Sequence, residues 1–228
     1  MRTAFLALLC ALASAPVLAT QNNVRHVTPC SGGSAGGFGC SNVDLAANVD
    51  LAALGAALNQ DGNDIWGWTD PTTNREYALV GVGNGTSFVD VTAADHPVVL
   101  GFLPTQSGNS LWRDIKVRGN YAFIVSEAVN HGMQVFDLNR LRSVASPPQT
   151  FTADAVYSQF GRAHNIVINE ASGFAYAVGS RQGTTTCNAG LHMIDISNPL
   201  SPQFAGCFSA DGYTHDAQCL TYSGPDSD

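Results

Sequence analysis

The chain has 228 residues, 45% of them hydrophobic and only 12% charged, against a typical charged share of about 25%. That is enough apolar material for a packed core, and it leaves Ser, Thr, Asn, Gln and Gly to cover the surface. A formal charge of −8, with Lys116 the only lysine, excludes nucleic acid and anionic membranes as electrostatic partners, because both are bound through clustered Lys and Arg.

The first 19 residues, Met1 to Ala19, carry one positive charge, a short apolar run and a Val17-x-Ala19 ending. This pattern predicts a signal peptide, and hence a secreted or cell-surface protein. The run is too short for a stable membrane span, and nothing after it in the chain is apolar enough to cross a bilayer. Cleavage removes Cys10 and leaves Cys30, Cys40, Cys187, Cys207 and Cys219, an odd number in a compartment where disulfides persist. Cys30 and Cys40 flank a Gly/Ser-rich loop suited to a local bridge. Cys187 precedes one predicted strand and Cys207 follows its neighbour, so antiparallel pairing predicts a Cys187–Cys207 disulfide with Cys219 left over. No Cys or His spacing typical of a structural zinc site occurs.

Residues 20–63 read as an irregular, disulfide-containing leader in which Asn-Val-Asp-Leu-Ala-Ala occurs twice. Asp61-Gly-Asn-Asp64 lacks the later ligands of a calcium loop and is predicted to be a turn. From residue 64 to 228 a unit repeats. Trp68-Thr-Asp70, Trp112-Arg-Asp114, Ala163-His-Asn165 and Thr214-His-Asp216 recur at intervals of about fifty residues. After the first three come Glu76-Tyr-Ala-Leu-Val80, Asn120-Tyr-Ala-Phe-Ile-Val125 and Gly173-Phe-Ala-Tyr-Ala-Val178. These lead in turn to Gly85-Thr-Ser-Phe-Val-Asp90, Gly132-Met-Gln-Val-Phe-Asp137 and Gly190-Leu-His-Met-Ile-Asp195.

Each copy holds several strands, so the fold class is all-β. We expect β-propeller blades of four antiparallel strands, three blades plus the first strand of a fourth, forming an incomplete ring. Asn84-Gly85 marks a hairpin in blade one and doubles as a glycosylation sequon with Thr86. A Pro147-Pro148 break predicts that the outer strand of blade two is short or replaced by a loop, with residues 150–162 as the connection to blade three. Ser180 to Asn188 form a polar insertion at a hairpin tip. Trp66, Trp68 and Trp112 are read as aromatic packing between blades.

Asp64-Ile-Trp-Gly-Trp-Thr-Asp70, Trp112-Arg-Asp-Ile-Lys116, Ala163-His-Asn-Ile-Val-Ile-Asn169, Gly212-Tyr-Thr-His-Asp-Ala-Gln-Cys219 and the glycine-to-aspartate strands above resemble the choice-of-anchor B family over nearly all of the mature chain. That resemblance implies exported bacterial proteins built from LVIVD-type repeats, folded as propellers and held at the surface by anchors that differ between members. It implies no reaction. The family pattern continues past Asp228 with further repeats and a further cysteine, so the chain is expected to be a fragment and Cys219 to pair beyond it.

Two functions compete on the sequence. One is a non-enzymatic scaffold whose loops, Ser180 to Asn188 among them, meet a surface protein or glycan. The other is a metal-binding protein or metal-dependent enzyme with a site in the propeller channel. The repeat places Thr69-Asp70, Arg113-Asp114, His164-Asn165 and His215-Asp216 at equivalent inner-strand starts, so His164, His215, Asp216 and Asp114 are the candidate ligands of a divalent metal. The competing role for these residues is a hydrogen-bond ring that joins blade to blade. No cofactor other than such a metal is expected.

Overall fold

The structure is a computed structural model that describes residues 27–179 and 187–224. The predicted signal peptide and most of the Ser180 to Asn188 insertion lie outside the described residues.

The leader opens with a small hairpin, β1 (Ser34–Ala35) and β2 (Phe38–Gly39), inside the loop closed by the predicted Cys30–Cys40 disulfide. It then lies against the first blade, burying Leu54 with Val82 and Val89. The Asn84 side chain ties the two together, donating from Nδ2 to Gly55 O and accepting from Ala57 N at Oδ1, both at 3.0 Å. Asn84 is thus a clamp between leader and blade, and the two-residue connection it belongs to is Gly83-Asn84.

Three antiparallel sheets follow. Blade one contains β3 (Gly62–Thr69), β4 (Glu76–Val82), β5 (Gly85–Asp90) and β6 (Val98–Pro104). Blade two has β7 (Arg113–Arg118), β8 (Tyr121–Ser126) and β9 (Met133–Asp137). The chain then makes a 3-10 turn, Leu138–Ser143, and β10 (Gln149–Thr150) before supplying the outer strand β11 (Ala155–Tyr157). Blade three is β12 (Asn165–Asn169), β13 (Phe174–Val178), β14 (Leu191–Asp195) and β15 (Gln203–Phe208).

The outer strand of blade two is therefore short, as expected, but it lies within the segment read as a plain connection. Among the described residues one pairing is parallel: β10 adds two residues to the edge of blade one, Gln149 opposite Gly101. A Cβ on Gly101 would sit 2.3 Å from Gln149 O, so only glycine admits that approach. Where the first strand of a fourth blade was expected, residues 212–223 form no paired strand. That segment is instead pinned to blade three by Gly179 N–H to Thr214 O at 2.7 Å and Thr214 N–H to Ala189 O at 2.9 Å.

The repeated residues have physical reasons. In each blade the aromatic of the second strand pairs with the aspartate of the third: Tyr77 with Asp90, Tyr121 with Asp137, Phe174 with Asp195. Each aspartate then accepts the N–H two residues on, from Thr92, Asn139 and Ser197 at 3.0, 3.0 and 2.8 Å, turning the chain out of the strand. The glycine five residues earlier lies under the outer strand. A Cβ on Gly85, Gly132 or Gly190 would meet Leu103 O, Tyr157 O or Phe208 O at 2.4, 2.3 or 2.1 Å.

Blade packs on blade through apolar faces. Leu79, Phe88 and Leu103 of blade one meet Ile115, Ile124 and Phe136 of blade two, and Phe123, Val125 and Val135 meet Ile166, Ala175 and Ile194 of blade three. The Cys187–Cys207 disulfide forms as expected and joins the start of β14 to β15. Among the described cysteines Cys219 is a free thiol, and burial raises its pKa.

Candidate functional site

The innermost strands β3, β7 and β12 lie side by side, and a carboxylate at the start of one reaches the backbone of the next. Asp64 Oδ2 accepts Ile115 N–H at 3.0 Å, and Asp114 Oδ2 accepts Ile166 N–H at 2.7 Å. At the third step Asn165 Nδ2 donates to His215 O at 3.3 Å. The equivalent residues are thus Asp64, Asp114, Asn165 and Asp216, which corrects the alignment of Asp70 with Asp114. Asp70 lies just past the far end of β3, fully buried and gripped by Arg142 of blade two, with Nε to Oδ2 at 2.7 Å. That hydrogen bond holds the Asp70 carboxyl well below the usual carboxylate range. The shared Trp-x-Asp spacing misled because a strand can carry an aspartate at either end. Asp61-Gly-Asn-Asp64 is likewise mostly strand rather than turn, and Asn63 Oδ1 accepts Arg113 N–H at 2.9 Å.

The four candidate metal ligands divide between two cavities. Asp114 and Asp216 line one of about 510 Å³ together with Asp64, Trp66, Lys116 and Glu170. Here Lys116 Nζ sits 2.5 Å from Asp114 Oδ1, 3.9 Å from Asp64 Oδ2 and 4.4 Å above the Trp66 ring. Burial, followed by the neighbouring Asp64 carboxyl, pushes the Asp114 pKa up to about 6 against the opposing pull of Lys116 and the Ile166 N–H. The lysine already occupies the place a cationic guest would take.

His164 and His215 line a second cavity of about 420 Å³ with Trp112, Glu127, Arg162, Gly179 and Tyr213. Their rings lie 4.4 Å apart, and Glu127 Oε1 is 2.6 Å from His164 Nδ1. A Cβ on Gly179 would collide with His164 Cβ at 2.3 Å, so glycine there allows the imidazole its position. Among the described residues no group of three or more His, Cys, Asp or Glu converges well enough to hold a metal ion.

Two further buried ionisable clusters make structural hydrogen bonds. Arg113, 1% exposed, donates from Nε to Val82 O at 3.3 Å and lies 3.1 Å from His131 Nε2. His131 Nδ1 donates to Gly132 O, which leaves Nε2 to accept from the guanidinium. Burial and then Arg113 pull the His131 pKa down to about 4, and burial lowers Arg113 to about 10. His192 lies 2.8 Å from the Tyr157 hydroxyl and is pulled down to about 4 by burial.

The tryptophans divide too. Trp68 packs between blades as expected, stacked on Tyr77 with Nε1 donating to Gly119 O at 3.1 Å. Trp66 and Trp112 are 39% and 45% exposed, which corrects their reading as buried packing. Trp66 sits two residues before Trp68 on the same face of β3 but lines the Asp114 cavity under Lys116, and Trp112 precedes β7.

The LVIVD repeat matches residues 112–137 and 185–209. The first match spans the three inner strands of blade two, and the second takes in β14 and β15. The chain is thus similar to LVIVD-repeat proteins in the elements that build the blades. No curated protein matches the chain.

Sequence reading missed Glu127, Arg162 and Tyr213. Glu127 follows the second strand of its blade, where blades one and three have Gly83 and Gly179, so no repeated position announced it. Only the packing of blade three against blade two brings it to His164.

Proposed function

We propose that the protein is exported by its N-terminal segment, residues 1–19, and serves outside the cytoplasm as a non-enzymatic binding scaffold of the choice-of-anchor B type. Residues 20–63 would serve as its leader and residues 64–228 as part of the propeller. The observation that carries this reading is what the inner-strand carboxylates do: Asp64 and Asp114 each commit one oxygen to the backbone of the next blade. Chemistry-bearing groups are used to lock the blades, while Trp112 and Tyr213 stay exposed where the chain runs from one blade to the next. Rigid blades that carry aromatic side chains on their connections suit recognition of a surface protein or glycan. The two disulfides suit an oxidising compartment.

The test is to produce the full chain and a variant lacking residues 1–19 in a bacterial host and to locate each by protease treatment of intact cells. The full chain should be processed near Thr20 and become accessible, and the variant should stay protected. Equal distribution of the two would overturn export. Stoichiometric bound metal in the purified protein would replace the scaffold reading with a metal-dependent one.

A further inference from the structure

The second cavity is assembled from separate segments, all at one end of the strand row. Trp112, Arg162 and Tyr213 lie on the connections that lead into successive inner-strand positions, and Glu127 lies on the loop after β8. Backbone bonds lock this rim: Glu127 N–H to Trp112 O at 3.1 Å, Ala163 N–H to Ser126 O at 3.1 Å and His164 N–H to Val178 O at 2.9 Å. Its volume of about 420 Å³ falls in the range of small-molecule sites, roughly 300–1,000 Å³.

The chemistry of the walls is selective. Arg162 Nε is buried and has no hydrogen-bond partner, so part of a permanent cation lies in the wall unsatisfied. Among the described residues the one carboxylate lining the cavity, Glu127, is turned onto His164 Nδ1. Its charge is thereby directed at the imidazole. His215 lies against that ring and Tyr213 lines the same cavity. Trp112 stands 5.5 Å from His164 and is 45% exposed, a platform on which a flat or ring-shaped body can stack.

We infer that this cavity binds the sulfate or phosphate ester group of a small molecule, with Arg162, His164 and His215 on the oxyanion and Trp112 against the body that bears it. The Arg162 guanidinium gives charge-assisted donors to oxyanion oxygens and the imidazoles add ring N–H groups, while Glu127 holds the His164 ring in place. The site goes beyond the scaffold reading and does not depend on it.

The experiment titrates the full chain with sodium sulfate at constant ionic strength, held with sodium chloride, while the ring resonances of His164 and His215 are followed by NMR. A second arm uses inorganic phosphate. Both rings should shift saturably. Arg162→Gln should weaken binding by about tenfold or more, the size of one lost charge-assisted hydrogen bond. His215→Asn is the second variant, with a smaller loss expected, should Arg162→Gln fail to fold. Tighter sulfate than phosphate binding would assign a sulfated ligand, and the reverse a phosphorylated one, either result supporting the site. Absence of saturation with both anions, or equal affinity in a folded Arg162→Gln, would overturn it. So would zinc ions moving these rings where the anions do not, which would assign the pair of imidazoles to a metal.

Discussion

Asp114 in blade two takes the backbone N–H of Ile166 in blade three at 2.7 Å while its other oxygen holds Lys116 at 2.5 Å. One carboxylate therefore fastens two blades and neutralises the only lysine. Asp114→Ala leaves the Ile166 N–H without its acceptor and should cost about 1–3 kcal/mol in denaturant unfolding. Asp114→Asn keeps an acceptor and should cost less. With its pKa raised to about 6 in the fold from 3.8, Asp114 contributes stability that is complete below about pH 4 and is lost as pH rises through 6. Asp114→Asn should abolish that contribution. An unchanged pH profile in the variant would show that the carboxyl is not perturbed.

The two buried histidines act in the opposite direction. His131 and His192 are held neutral, with pKa values near 4 against 6.5 in the unfolded chain. Their contribution is present above pH 6.5 and is lost as pH falls towards 4, at most about 3 kcal/mol each. Denaturation between pH 7 and pH 4 should therefore show a net decline on acidification. His192→Phe should make the decline shallower whatever it does to stability at pH 7. A slope identical to that of the parent would refute the assignment.

Glycine beneath the outer strand is a steric requirement in each blade. Gly132→Ala combines a φ of +64° with a Cβ 2.3 Å from Tyr157 O. It should destabilise by about 1–3 kcal/mol from overpacking alone, with added backbone strain. Gly108→Ala has no neighbour within 4 Å and should be near neutral, within about 0.5 kcal/mol. Thermal midpoints of the two variants compare them directly.

Two tryptophans of similar sequence context should behave differently. Trp68→Ala removes a side chain 5% exposed that stacks on Tyr77 and hydrogen-bonds across to blade two, and should cost about 3–5 kcal/mol. Trp112→Ala, 45% exposed, should change stability by no more than about 0.5 kcal/mol and alter only what the rim binds. Comparable losses in both, measured by urea unfolding, would mean that Trp112 is buried in solution.

By itself the sequence determined the all-β class, the repeated order of the first three strands in each blade and the Cys30–Cys40 and Cys187–Cys207 pairs. These follow from local rules: the two-residue period of a strand, the turn chemistry of Asp and Gly, and the nearness that a hairpin imposes on its ends. Tertiary structure alone decided which aspartate begins an inner strand and which ends one, since Asp64 and Asp70 differ only in what the next blade brings near them. It also separated Asp114 from His164, adjacent in the repeat logic, into different cavities, because successive side chains on a strand point to opposite faces. Finally it set Glu127 against His164 across 37 residues of chain, a contact created by blade packing that no periodicity encodes.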